Sequence, residues 1–178
     1  MRNAAEMVLA QPSGEPALLR DAESAAQVAW REWVDPDPDD VMQDEGGLEL
    51  LGFRDSIDAL LTPNAFLSGG AWMAIEPTSA LVAVDVNTGP DTSFAAGLKT
   101  NLAAARDLPR QLRLRGLGGQ IVVDFAPMAR KDQRQVEQVL RAGFKVDGIE
   151  TALVGWTGLG HFELQRKRER LPLSELLQ

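Results

Sequence analysis

Two short apolar runs that each contain an aspartate near their end constrain the fold of this 178-residue chain most strongly. Residues 81–86 hold Asp85 among β-branched residues, and residues 120–125 hold Asp124 in a similar run. An unpaired carboxylate inside a buried strand costs several kcal/mol, whereas ligand sites of open α/β sheets gather at the carboxyl ends of strands. We therefore expect two strands that each present an aspartate at this end of a sheet.

Apolar periodicity predicts the elements around these two strands. It indicates helices over residues 15–33, 48–61, 93–114 and 131–144, and strands over residues 71–75, 80–86, 120–125 and 150–154. Pro109 predicts a kink or break near Leu108, and residues 162–170 fit either a strand or a helix. From residue 70 the predicted order is β-β-α-β-α-β. We expect an α/β fold, with helices packed on a mixed sheet and further helices before it.

Composition indicates a globular protein, with 44% hydrophobic and 25% charged residues. The absence of cysteine excludes disulfides and thiolate zinc sites. Because no apolar run approaches a membrane span and the first residues do not open a signal peptide, we expect a cytoplasmic protein. The acidic segment 35–45 reads as a solvated linker, with an RNA-mimicking cover for a basic cleft as the weaker alternative. This linker divides the chain into residues 1–47 and 48–178.

The two aspartates are candidates for metal binding. The right-handed crossover rule makes their strands parallel, so that Asp85 and Asp124 fall at the same end of the sheet. Two close carboxylates repel each other unless a cation lies between them, and hard oxygen ligands favour magnesium or manganese. Asn87 would project on the same face as Asp85 and could orient its carboxylate or donate to a phosphate. Helix capping or turn formation by the two aspartates is the alternative.

The net charge of the chain is −8, so the chain has no overall positive field that would attract a polyanion. A polyanion partner would therefore need a basic patch or a metal. Lys99 and Arg113 lie in the predicted helix over residues 93–114, and Arg115 follows it directly. Beside a metal site these three side chains would form a track for phosphates, whereas alone they would form an ordinary solvated face.

Three other side chains have a structural interpretation that we favour over a functional one. His161 is the single histidine of the chain and fits a loop residue better than a catalytic base. Trp72 and Trp156 could stack on bases, but tryptophans in such positions more often belong to the core or its rim.

The order of the motifs resembles the catalytic subdomain of the ribonuclease E/G family over roughly residues 48–173. The resemblance rests on residues 84–87, 99–105, 110–119 and 122–125, with Gly69-Gly70, residues 132–134 and residues 160–168 in matching order. It implies a DNase I-like subdomain of a magnesium-dependent endoribonuclease that cleaves single-stranded RNA. It also implies that Asp85 and Asp124 hold the metal and that Asn87 supports them.

The chain also departs from the family pattern. The resemblance implies an upstream OB-fold domain, a 5′-end-sensing region and a ribonuclease H-like part, and a chain of this length has no room for them. The family's zinc-link cysteines are absent, and the loop before Lys99 is shorter than expected. We therefore expect a minimal or truncated member with weak RNA binding, and any homodimer would lack a cysteine zinc link. The competing hypotheses are a non-catalytic RNA-binding or assembly module and a different metal-dependent phosphatase or nuclease.

Overall fold

The computed structural model describes Glu49 and residues 51–177. The predicted helix over residues 15–33 and the acidic segment 35–45 lie outside the described residues, so the proposed division at residue 47 stays a prediction. The described helices are α1 (Phe53–Leu61), α2 (Phe94–Leu114), α3 (Arg130–Asp147) and α4 (Leu173–Leu176). The strands are β1 (Asn64–Phe66), β2 (Trp72–Pro77), β3 (Val82–Asn87), β4 (Gly119–Asp124), β5 (Thr151–Trp156) and β6 (Phe162–Arg166). None of these helices combines the length and apolarity needed to cross a lipid bilayer.

The strands form one six-stranded mixed sheet in the order β1-β2-β3-β4-β6-β5. β3 and β4 are parallel, and the other neighbouring pairs in this sheet are antiparallel. α2 makes the crossover between the two parallel strands. The predicted α/β class with a mixed sheet is therefore confirmed.

One face of the sheet carries the hydrophobic core. Alternate residues of β3 and β4, such as Val84 and Val123, are buried there. Leu108 of α2 and Leu140 of α3 belong to the same apolar cluster, so both long helices pack on this face. Because side chains alternate along a strand, Asp85 and Asp124 project from the opposite face, where both are exposed.

The structure refines three sequence-based expectations. Of the kink or break expected near Leu108, the break is absent, because helix α2 runs continuously through Pro109, which is buried. Gly143 of α3 lies so close that an added Cβ would be 3.1 Å from Cγ of Pro109. Interhelical packing therefore supports the helix where proline removes one backbone hydrogen bond. The segment that fitted a strand or a helix is strand β6, and the short elements β1 and α4 were not anticipated.

A buried cluster of charges joins the far end of the sheet to both long helices. The carboxylate of Asp147, at the end of α3, is 1% exposed and accepts hydrogen bonds from Arg113 and Arg166. The Arg166 side chain is fully buried, also donates to Thr151 Oγ1 at 3.1 Å, and lies 5.7 Å from the ring centroid of Phe144. A buried charge is tolerated only when it is paired, so this cluster depends on Asp147.

We expect Asp147→Asn to lower the free energy of unfolding by about 3–5 kcal/mol, because it leaves the guanidinium of Arg166 buried without its counter-charge. Urea denaturation measures this loss. The matched control is Glu137→Gln, which removes a surface ion pair to Arg141 on the same helix and should cost less than about 0.5 kcal/mol. Equal midpoints for the two variants would contradict the structural role assigned to Asp147.

Candidate functional site

The two predicted aspartates are neighbours across the parallel strand pair. Asp85 of β3 and Asp124 of β4 are register partners, and adjacent strands lie about 4.8 Å apart. Both residues are exposed, and the side chain of Asp124 is 61% exposed. Paired residues of neighbouring strands project on the same face, so the two carboxylates stand side by side facing solvent.

Asn87 is the third predicted site residue, and the structure brings it into contact with the first. Its Nδ2 donates to Oδ2 of Asp85 at 2.9 Å. The two residues are two positions apart in β3, so their side chains share a face of the strand. The amide therefore orients the carboxylate of Asp85 without adding charge.

Asp124 is positioned by a clamp on the loop that follows it. Nδ2 of Asn101, in α2, donates to the carbonyl of Ala126 at 2.8 Å, and Oδ1 of Asn101 accepts from the Ala126 N–H at 3.0 Å. Asn101 is fully buried. One turn earlier in α2, an added Cβ at Gly97 would lie 2.5 Å from the Pro127 carbonyl oxygen. These two positions seat the loop on α2 just past Asp124.

Sequence reasoning did not single out Asn101. The available signal was a polar amide four residues after a glycine, on the face of the helix that carries most of its apolar residues. Its partner lies 25 residues away, so the sequence does not show which backbone groups the amide satisfies.

The loop after β3 forms a cleft that contains Lys99. Gly89 has a φ of 75°, and an added Cβ there would lie 2.5 Å from the Gly70 carbonyl oxygen. Ser93 caps α2 by accepting from the Ala96 N–H at 3.2 Å. The Ser93 N–H in turn donates to Asp91, which lowers the pKa of that carboxyl.

The cleft has a volume of about 300 Å³. It is lined on one side by the turn before β2 and on the other by the start of α2, where Lys99 projects. Because α2 begins after the carboxyl end of β3, Lys99 is at the same end of the sheet as Asp85 and Asp124.

Arg113 and Arg115 lie elsewhere, at the other end of α2. They follow Lys99 by 14 and 16 residues, which corresponds to roughly 21–24 Å along a helix axis. Arg113 pairs with Asp147. Arg115 is 6% exposed and donates to Gln111 and to the Thr62 carbonyl, and its burial lowers the pKa of the guanidinium. Both arginines thus have internal partners, away from the carboxylate pair.

His161 borders the carboxylate pair. It lies in the turn between β5 and β6, and its Nε2 is 3.8 Å from Oδ1 of Asp124. The favoured interpretation as a loop residue describes its backbone position, but sequence reasoning did not predict its proximity to Asp124. The antiparallel pairing of β6 with β4 returns the chain to the end of β4 and so creates this contact.

Trp156 behaves as predicted for a core-rim residue, whereas Trp72 lies on the other face of the sheet, because the core-facing residues of β2 are its neighbours in the strand. The ring of Trp156 lies 5.7 Å from the ring of Phe125 and 5.2 Å from that of Phe162, and it packs against the apolar core. Trp72 is half-buried and pairs in register with Asn87 across β2 and β3.

The donor set suits a hard divalent cation. Among the described residues, no group of three or more His, Cys, Asp or Glu side chains is placed to hold a metal ion. A cation bound between the carboxyl ends of β3 and β4 would thus be held by the Asp85 and Asp124 carboxylates, with water completing its coordination. Magnesium is commonly bound in this way, through one or two carboxylates while retaining several waters.

Comparison with known proteins identifies the family. The ribonuclease E/G family model matches residues 18–169, and the chain belongs to this family. The matched region begins before the residues that carried the resemblance in the sequence.

Individual relatives match a shorter region. The chain is 40% identical over 134 residues to ribonuclease E of Nostoc sp. and 34% identical over 138 residues to ribonuclease G of Escherichia coli. Each alignment covers 72% of this chain but only 20% and 27% of the respective relative. The chain therefore spans about a fifth to a quarter of the length of these relatives.

We expect Asn101→Ala to lower the free energy of unfolding by about 2–4 kcal/mol, because the N–H and the carbonyl of Ala126 would both lose their buried partner. Denaturant unfolding measures the loss. Asn87→Ala is the matched control, since it removes an amide that bonds an exposed carboxylate, and it should change stability by less than about 0.5 kcal/mol. If Asn101→Ala were as stable as Asn87→Ala, the clamp would not be holding the loop.

Proposed function

We propose that this chain is the catalytic part of a magnesium-dependent endoribonuclease that cleaves single-stranded RNA. The observation that carries the proposal is the register pairing of Asp85 with Asp124 near the carboxyl ends of the parallel strands β3 and β4, where both side chains are exposed. Membership of the ribonuclease E/G family supports the reaction class, and the relatives named above are ribonucleases.

The site residues would divide the work as follows. Asp85 and Asp124 would hold magnesium, or manganese in its place. When bound, such an ion makes a coordinated water more acidic and neutralises charge on phosphoryl oxygens. Asn87 keeps the Asp85 carboxylate in one orientation through its 2.9 Å hydrogen bond. The Asn101 clamp holds the loop that begins directly after Asp124.

Phosphates must also be attracted to a site that displays two carboxylates on a chain of net charge −8. Lys99 can supply positive charge from the cleft beside β3. It is exposed, and within the described part of the chain it has no hydrogen bond or ion pair. Arg113 and Arg115 are left out of this RNA path because their guanidinium groups have internal partners at the far end of α2.

We expect Asp85→Asn and Asp124→Asn each to reduce magnesium-dependent cleavage of a labelled single-stranded RNA by roughly a hundredfold or more. Binding of Mn²⁺, followed by electron paramagnetic resonance, should weaken in parallel. Asp58→Asn is the matched control and should leave cleavage unchanged, because it neutralises an exposed carboxylate of α1 that lines neither cleft beside the aspartates. The free energy of unfolding without metal should not fall, since each site variant removes one of two adjacent like charges.

Cleavage that persists in both site variants, or in the presence of a chelator, would overturn the proposed reaction. Tight RNA binding by the wild-type chain without cleavage would favour the RNA-binding or assembly module instead.

We expect Lys99→Gln to weaken single-stranded RNA binding across sequences and to reduce the slope of log K against log salt by about 0.7, the value for one lost phosphate contact. Fluorescence anisotropy over a salt series measures both effects. Arg106→Gln is the matched control on the same helix, since Arg106 is also exposed and has no partner among the described residues. Identical slopes for the two variants would place Lys99 on an ordinary solvated face.

A further inference from the structure

A second cleft borders the carboxylate pair on the side away from Lys99. It lies between the first turns of α3 and the turn that joins β5 to β6, and it has a volume of about 570 Å³. The sheet order places β6 next to β4, so this turn lies at the carboxyl end of β4. Gly160 lines the cleft, and the next residue, His161, lies 3.8 Å from Asp124. The cleft therefore begins beside the carboxylate pair.

One wall of this cleft is a basic face of α3. Arg130, Gln133, Arg134 and Glu137 line it at helical spacings of three and four residues, along the flank of the buried stripe that includes Val136. The carboxylate of Glu137 is paired with Arg141 on the same helix at 2.9 Å. This wall therefore carries a net positive charge.

The positive charge on this wall is free to meet a ligand. Arg130 and Arg134 are exposed, and the described residues provide neither with a hydrogen bond or an ion pair. Most other arginines of the described part are held by protein groups, for example Arg110 by Asp107 and Arg166 by Asp147. Unpaired guanidinium groups next to exposed carboxylates offset the repulsion that these carboxylates exert on a phosphate.

The other wall of the cleft is uncharged. Leu159, at the tip of the turn, is 88% exposed. Trp156 also lines the cleft, and its buried indole N–H has no acceptor within the described residues. Single-stranded RNA exposes base faces that can contact such apolar groups, whereas a duplex hides them.

We propose that this cleft is a nucleotide subsite for the single-stranded RNA substrate, next to the position of cleavage. Arg130 and Arg134 bind the phosphate, Gln133 offers an amide to the same nucleotide, and Leu159 contacts its base. The volume falls within the range of pockets that enclose small organic ligands. This inference rests on the proposed function, because it assigns one part of the same RNA path.

The phosphate contacts are tested by the salt dependence of binding. The full chain is titrated onto a fluorescent single-stranded RNA of about ten nucleotides, with Ca²⁺ replacing Mg²⁺ to suppress cleavage. The double variant Arg130→Gln with Arg134→Gln should lower the slope of log K against log salt by about 1.4. Between 50 and 200 mM salt the wild type should therefore lose about sevenfold more affinity than this variant.

The matched control carries Arg106→Gln together with Lys145→Gln. Both residues are exposed, have no partner in the part of the chain that the structure describes, and lie outside the cleft lining. The control changes the net charge by the same amount and should retain the wild-type slope. Equal slopes for the two double variants would overturn the subsite.

The base contact has a separate signature. Leu159→Ser should weaken binding of the single-stranded RNA several-fold and equally at low and high salt, because no phosphate contact is lost. Binding of a duplex of the same sequence should not change. Val146→Ser is the control, since Val146 is 87% exposed and lies outside the cleft lining. A Leu159→Ser effect that equals the control, or that extends to the duplex, would overturn the base contact.

The outcomes also separate this inference from the proposed function. If the slope falls as expected but Mg²⁺ produces no cleavage by the wild type, the reaction is wrong and the RNA subsite stands. If the wild type cleaves RNA and the two double variants share one slope, the reaction stands and the subsite is wrong. If the wild type binds no single-stranded RNA, both are overturned.

Discussion

Asp85 and Asp124 carry like charges at neighbouring positions, and the rest of the structure must hold them there against their mutual repulsion. The parallel pairing of β3 with β4 holds the two carboxylates at neighbouring register positions. Both stand on the face of the sheet opposite the long helices, where they are exposed to water. The apolar face of the same strands anchors them to the core, so the fold holds the two carboxylates side by side, where the proposed cation would bind.

Helix α2 contacts the loops that follow both aspartate-bearing strands and so stabilises the positions of Asp85 and Asp124. Its first turn is capped by Ser93 in the loop that follows β3, and its buried Asn101 clamps the loop that follows β4. Its last turn reaches the buried Asp147 cluster at the far end of the sheet. A single helix thus links both carboxylate-bearing strands to the opposite end of the sheet. We therefore expect substitutions that disturb the packing of α2 to alter the positions of Asp85 and Asp124, even where the substituted residue does not contact RNA.

Free positive charge is distributed unevenly among the described residues. Many of the arginines serve the fold, as Arg113, Arg115 and Arg166 do through their buried partners. By contrast, Lys99 lies in one cleft beside the aspartates, and Arg130 and Arg134 lie in the other, without such partners. A chain of net charge −8 can therefore present cations where a phosphate chain would cross the carboxylate pair. The two clefts define opposite sides of the proposed RNA path.

The sequence alone determined the α/β class and the carboxylate pair. Alternating β-branched residues mark the strands, and the right-handed crossover rule brings Asp85 and Asp124 to one end of the sheet. Asn87 follows from the two-residue period of a strand. These inferences succeed because they depend on local periodicity and on one chirality rule, neither of which requires knowledge of distant partners.

Tertiary structure decided which polar side chains serve the fold and which remain free. Arg113 meets an aspartate 34 residues away, and Asn101 meets a backbone segment 25 residues away. Pro109 stays within a helix because α3 packs against it. In the sequence, Arg113 and Arg134 are both basic residues in amphipathic helices. Only the packing shows that one neutralises a buried carboxylate while the other faces an open cleft, because pairing energies depend on distances between residues that are remote in the chain.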